Sequence, residues 1–388
     1  MSSVLARPEP DFRCEYSSNL PLLLKRLNIA PVFTSYQAAR LMMIRSDGDH
    51  LDINFHRFPR PMGLSSRDGH LTLGTFNQVI RFQREDGLLA QIKQPLAPIE
   101  ADITAPRVKI TGDDPVPDER GVDDDLLQPL DHRADACLIA RSSHFTGMIN
   151  IHDLDWGDAG LWVVNSSFSC LATLQPDYSF VPRWKPHFIS GLAAEDRCHL
   201  NGMCLKDGKP GFVTTFSTAD TAARWRQQTL MAGTLMDVPR NEILLDNLQM
   251  PHSPRWYQGR VYYCNSALGQ LCCYDPATGS NRVLAEVPGF TRGIDVYGPL
   301  LILGLSRVRQ GNVPMSMPLL ERYADTESGL RFYNLEDMSE IGRIRFTGNV
   351  DQIYDIAVLP GCSFPELITP EHPRMRNHFS HPSLQPLV

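Results

Sequence analysis

His152–Asn165 reads HDLDWGDAGLWVVN, and His252–Ser266 reads HSPRWYQGRVYYCNS. In both, a short apolar strand reaches a turn at Gly, and a second strand returns to end in Asn or Ser. Working outward, the same form recurs at Pro61–Gly74 (PMGLSSRDGHLTLG), Asn201–Thr215 (NGMCLKDGKPGFVTT) and Arg292–Ser306 (RGIDVYGPLLILGLS). A sixth copy, Ile353–Leu359 (IYDIAVL), carries its first strand only. A third strand is expected at Gln78–Phe82, Ser169–Leu174, Thr234–Asp237, Leu271–Asp275 and Leu330–Asn334. A fourth is expected at Leu88–Ile92, Phe180–Val181, Glu242–Leu245, Arg282–Leu284 and Arg343–Phe346. A repeated four-stranded meander is the blade of a β-propeller.

The incomplete sixth unit finds its missing strands at the other end of the chain. Val32–Tyr36, Leu41–Ile44 and Leu51–Phe55 match the later strands of a blade. Pairing both chain ends in one blade removes an open seam with exposed edges. The expected fold is therefore all-β: a six-bladed β-propeller closed by N-terminal strands that pair with the C-terminal strand, with inserted loops. Two stacked β-sandwich domains are the alternative. The expected organisation is an N-terminal extension over 1–30, one propeller over 31–369, and a flexible Pro- and His-rich tail over 370–388. Three insertions interrupt the repeats: the acidic stretch Pro98–Asp135, the helix-like Thr218–Met231, and Arg307–Ser328 with a helical turn at Leu319–Tyr323.

Aligned on the first-strand markers Leu64, Leu154, Met203, Pro254, Ile294 and Ile356, each blade offers one residue two positions earlier. These are Met62, His152, Asn201, His252, Arg292 and Tyr354. Equivalent positions on innermost strands ring a central channel. His199, two before Asn201, joins them one layer along. Three histidines converging suit a divalent transition metal such as Fe, Cu or Zn, so His152, His199 and His252 are the candidate ligands. A metal-free polar channel is the competing reading. Arg292 can grip an anionic group, and Tyr354 or Asp355 can assist proton transfer, which makes these three the candidate catalytic residues. Asn201, Arg292 and Met62 are the candidate substrate contacts. If Arg292 has an internal partner, Asp355, Asp153 and Asp295 are the choices. One position before the marker stand Gly63, Asp153, Gly202, Ser253, Gly293 and Asp355, suited to tight packing or to supporting ligands.

Other signals are weaker. Cys170 and Cys198 read as small apolar fillers. Cys272 and Cys273, adjacent on one strand, should face opposite sides. The Arg–Trp pairs in Val181–Trp184 and Pro254–Trp256 read as packing devices. No P-loop, G-x-S-x-G or dinucleotide fingerprint occurs.

Composition agrees with a soluble globular chain: 388 residues, 42% hydrophobic, 21% charged, net charge −7. Pro98–Asp135 holds eleven acidic and four basic residues, as much excess negative charge as the whole chain. That balance argues against nucleic-acid binding. Met1–Arg13 has no apolar core of a secretory signal, no apolar run spans a membrane, and the nine cysteines then read as reduced thiols. A cytoplasmic location is the expectation.

SSHFTGMINIHDLDW (Ser142–Trp156), FSCLATL (Phe168–Leu174), VPRWKPHFIS (Val181–Ser190), EDRCHLNGM (Glu195–Met203), MPHSPRW (Met250–Trp256) and DIAVLPG (Asp355–Gly361) carry a family resemblance. With SYQAARL and RPMGL it spans roughly Pro31 to Pro370. The chain resembles an uncharacterised, mainly bacterial family of propeller-like proteins, some members of which are linked to tetratricopeptide proteins. The resemblance implies no activity. At the level of fold the chain is also similar to gluconolactonase- and strictosidine-synthase-like propellers. Lactonases of that kind hold calcium with Glu, Asn and Asp, a set from which His152 and His252 depart.

The leading expectation is an enzyme acting on a small molecule or short peptide in the axial pocket, metal-assisted, with hydrolase, lactonase-like or oxidative chemistry. The alternatives are a non-catalytic propeller that binds a ligand or protein partner, and a scaffold whose acidic loop docks a protein.

Overall fold

In a computed structural model, described over residues 11–93, 129–227, 232–308, 317–376 and 379–380, the strands group into six sheets. The six innermost strands are Leu64–Arg67, Ile151–Gly157, Leu200–Lys206, Pro251–Tyr257, Phe290–Tyr297 and Ile356–Pro360. Each touches the next, and the last touches the first, so the ring closes. Blades are numbered here by these strands, in chain order.

Local chemistry sets the first hairpins. In RDGH, KDGK and YQGR, the two central residues take left-handed φ: Asp68 50° and Gly69 74°, Asp207 51° and Gly208 73°, Gln258 46° and Gly259 80°. The flanking residues pair directly, as Arg67 with His70. Two successive left-handed residues suit the right-handed twist of the strands they join, and Gly adopts that conformation without steric cost. Beyond the turns, alternation places side chains on both faces of each blade. The apolar ones form a separate core at each of the six blade–blade interfaces. Cys272 joins the core facing blade 3, and Cys273 the one facing blade 5. Adjacent strand residues thus serve opposite interfaces, as expected. All nine cysteines are free thiols.

Closure follows the sequence reading. Ile356–Pro360 pairs antiparallel with Ile29–Ser35, and Arg40–Ser46 and Leu51–Arg57 complete blade 6. Two further strands reinforce it. Cys14–Tyr16 pairs with Glu340–Phe346 on the outer edge of blade 5, and Pro365–Ile368 runs parallel to Ala136–Phe145 on blade 1. An ion pair between Glu366 and Arg45 ties the latter strand to blade 6. Pro373–Arg376 forms a short helical turn in which Arg374 is buried.

One expected strand is corrected. Leu88–Ile92 does not form the outer strand of blade 1; Asp86–Leu88 and Leu89–Ile92 are short helical segments, and Ala136–Phe145 takes the outer place. The reason is spacing. Leu88 and Ile92, four apart, share one helical face and enter the same buried cluster. The acidic insertion falls largely on residues 94–128, outside the described residues, as do His378 and His381. Among the described residues, no helix is long and apolar enough to cross a membrane.

Candidate functional site

Strict alternation would send the position before each marker away from the axis. A repeated bulge prevents this. In blade 2, Leu154 faces Val163 and Ile151 faces Asn165, leaving His152 and Asp153 opposite Val164 alone. Extra residues occur likewise at Asn201, at Ser253–Pro254 and at Arg292–Gly293. A bulge re-aims consecutive side chains. Two layers of polar residues result, one at the start of the inner strands and one farther along.

The first layer holds the histidines. The Nδ1–H of His152 donates to the Asn150 carbonyl at 2.9 Å and lies 2.7 Å from Ser166 Oγ. His252 repeats this with the Met250 carbonyl at 2.9 Å and Ser266 Oγ at 2.8 Å. A carbonyl can only accept, so Nδ1 carries the proton in both rings and Nε2 is the free nitrogen. Burial pushes both imidazoles well below their usual pKa, and the positive Arg292 pushes the same way. Both are therefore neutral at pH 7.

His199 is held differently. Its Nδ1–H donates to Asp196, 2.9 Å from Oδ1 and 3.0 Å from Oδ2. The indole N–H of Trp225 donates to the same carboxylate at 3.0 Å. Trp225, from the second insertion, stacks on the His199 ring at 4.0 Å. Asp196 and His199 both have left-handed φ, 47° and 51°. Residues held in that sparsely populated region collect at functional sites.

The rings form one arc. Tyr354 lies 5.7 Å from His152, His152 lies 4.7 Å from His199, and Phe216 lies 4.6 Å from His199 and 5.0 Å from His252. Phe290 follows at 5.3 Å from His252. It belongs to the cluster that also seats Met317 and Leu319 of the third insertion. The Arg292 guanidinium sits 3.7 Å over the Tyr354 ring. Burial raises the Tyr354 pKa, so its hydroxyl stays protonated. Two donor atoms here have no hydrogen-bond partner among the described residues, Arg292 Nε and Asn201 Nδ2, while the Tyr354 hydroxyl is within the influence of the Arg292 guanidinium.

In the second layer, Arg255 joins two blades. It donates to Asp153 at 2.9 Å and to Asp355 at 2.8 Å. Each of these carboxylates also accepts a backbone N–H from the following blade. Asp153 takes that of Met203 at 3.0 Å, and Asp355 that of Leu64 at 2.9 Å. Asp295 accepts from Val358 at 2.7 Å, and Ser253 from Gly293 at 2.9 Å. Asp153, Ser253 and Asp355, each one position before its marker, and Asp295, one position after, are thus blade-to-blade staples. Burial raises Asp355 and Asp153, with the Arg255 charge pulling against it, and raises Asp295 to about 6. Burial alone would lower Arg255, but the surrounding carboxylates raise it. A cavity of about 190 Å³ opens in this layer, lined among others by Ser65, Asp155, Arg255 and Asp295. It does not include the histidines.

A profile of an uncharacterised family, described as domain of unknown function DUF4915, matches residues 18–113 and 122–368. The chain belongs to the DUF4915 family. No curated protein matches it. Among solved structures, a chain of a nidogen/laminin complex is similar in fold, at 10% identity and a TM-score of 0.49, covering 86% of this chain and 99% of that one. A likeness of that size does not bear on function.

In this DUF4915 chain the structure brings together His152, His199, His252, Arg292 and Tyr354 from separate blades. Met62 and Asn201 are buried at their ring positions. Asp355 lies in the layer below, engaged by Arg255. One reading is corrected. Arg292 does not pair with Asp153, Asp295 or Asp355; Arg255 takes the first and last and lies near Asp295, while Arg292 rests on Tyr354. Trp256 packs on Phe212, as a packing device should, and the cation over its ring is Lys206 at 4.8 Å. As for a metal, His152 and His252 would offer bare Nε2 atoms. Yet among the described residues no group of three or more His, Cys, Asp or Glu side chains is placed to hold one ion. Phe216 stands between His199 and His252 in the arc. Asp196 was missed in the sequence; its only trace is an Asp three residues before His199 in EDRCH.

Proposed function

We propose that this protein is an enzyme performing acid–base chemistry on a small molecule or short peptide at the histidine end of its axis. The observation that carries this reading is the Asp196–His199 pair. A carboxylate bonded to one imidazole nitrogen fixes the ring's orientation and tautomer, and it stabilises the cation formed when the other nitrogen takes a proton. His199 Nε2 then takes and returns the proton. Arg292 orients an anionic group, and the protonated Tyr354 hydroxyl donates to developing negative charge. Asp355, bound to Arg255, holds blades together instead of moving protons. Trp225 stacks on the His199 ring and helps hold Asp196.

The test is a comparison of the wild type with His199→Gln and Asp196→Asn after incubation with a small-molecule cell extract, read by mass spectrometry. The expected result is a compound consumed by the wild type and spared by both variants. If all three proteins leave the extract unchanged, while a compound co-elutes with each, the non-catalytic propeller is the correct reading. That second reading has its own support: the Ser166 and Ser266 anchors tie His152 and His252 to their blades. A metal-assisted version needs a third ligand beside His152 and His199. Elemental analysis of protein purified without chelator checks it, with stoichiometric Fe, Cu or Zn restoring that version.

A further inference from the structure

We infer that the histidine end recognises a small carboxylate bearing an adjacent hydrogen-bond donor, such as a hydroxyl group. The inference rests on the proposed site but not on its chemistry. Charge gives the first argument. The second layer absorbs its own ions, because Asp153 and Asp355 are bonded to Arg255. In the first layer the Asp196 carboxylate is bonded to His199 and Trp225. Among the described residues Arg292 has no acidic partner, and its positive field, with that of Arg60, reaches His152. A half-buried guanidinium without a counter-ion is an anion site.

Hydrogen-bond inventory gives the second argument. Asn201 is 3% exposed, and its Nδ2 has no partner among the described residues. With the Arg292 guanidinium it makes a set of donors that call for acceptor oxygens. An unmatched buried donor costs about 1–3 kcal/mol, which a carboxylate would recover. His152 and His252 present the opposite need. Their protons sit on Nδ1 and are used internally, so each Nε2 is a lone pair that calls for a donor. A ligand that satisfies both sets carries an anionic acceptor at one end and an O–H or N–H close by.

The experiment is a thermal-shift titration at constant ionic strength with three probes: acetate, glycolate and ethylene glycol. They supply the carboxylate alone, the carboxylate with a donor, and the donors alone. Glycolate is expected to act at a concentration at least about threefold lower than acetate, with ethylene glycol inert; one extra neutral hydrogen bond supplies that order of change. Arg292→Gln is expected to weaken glycolate about tenfold or more, as loss of a charge-assisted pair requires. His252→Ala should bring glycolate to the acetate level. Circular dichroism confirms folding, and Arg292→Lys serves if the glutamine variant does not fold. Equal action of acetate and glycolate on the wild type, or undiminished glycolate binding by the Arg292 variant, overturns the inference. Asp196→Asn separates the two claims: glycolate binding persists in it if the recognition is as inferred, whether or not turnover is lost.

Discussion

Arg255 lies between two carboxylates from different blades, and its removal isolates them. Side-chain exposure is 18% for Arg255, 5% for Asp153 and 3% for Asp355. Breaking a buried ion pair leaves a charge without compensation, at a cost of about 3–5 kcal/mol. Arg255→Met is therefore expected to lower the urea midpoint by a corresponding amount. Adding Asp153→Asn and Asp355→Asn should recover part of it, because neutral amides tolerate burial better. A second prediction concerns protons. Burial holds the folded-state pKa values of His152 and His252 well below the usual imidazole value of about 6.5. The unfolded chain binds their protons first, so their contribution to stability is present above about pH 6.5 and is lost as pH falls below it. Asp153, Asp295 and Asp355 are shifted upward and work in the opposite sense, losing stability as pH rises through their window. The difference isolates the histidines. Between about pH 7.5 and about pH 5.5, wild-type stability should fall more than that of a His152→Gln/His252→Gln variant, as measured by urea unfolding.

At the scale of the strand, the bulge decides what faces the axis, and small residues make it fit. A Cβ built on Gly202 would lie 2.4 Å from Pro254 Cδ and 3.0 Å from the Ser253 nitrogen on the neighbouring inner strand. Backbone and a proline ring cannot move aside. Gly202→Ala should cost about 1–3 kcal/mol, as overpacking does. A drop in melting temperature without change of the circular-dichroism spectrum at low temperature would bear this out, and an unchanged melting temperature would refute it. The second and third insertions act at the same scale. Trp225 covers His199, and Met317 and Leu319 pack with Phe290 beside His252. Both insertions join the second and third strands of their blades, so both arrive at the histidine end.

For the molecule as a whole, closure is a property of both chain termini. Blade 6 takes its inner strand from Ile356–Pro360 and the rest from Ile29–Arg57. A chain starting at Pro61 would leave an inner strand with an unpaired edge, which invites association. Such a fragment should elute as oligomers in size-exclusion chromatography. Co-expression with residues 1–60 should restore a monomer-sized complex containing both pieces. Failure of the two to co-purify would mean that the seam is not what holds the ring together.

The number of blades, the borrowed strands of blade 6 and the convergence of His152, His199, His252, Arg292 and Tyr354 were legible in the chain. These depend on local rules: D-G and Q-G turns close hairpins, and period-two alternation sorts side chains to two interfaces. Even Cys272 and Cys273 obey that rule. What the chain order did not disclose were pairings across blades. Asp196 reaches His199 only because both adopt left-handed φ, and Trp225 reaches them from an insertion whose direction no short motif encodes. Arg255 meets Asp153 and Asp355 from sequence distances of about a hundred residues. Local sequence determines strand, turn and face, because those energies are set within a few residues. Only the closed ring decides which buried charge finds which partner, because desolvation is settled by neighbours that the fold alone brings near.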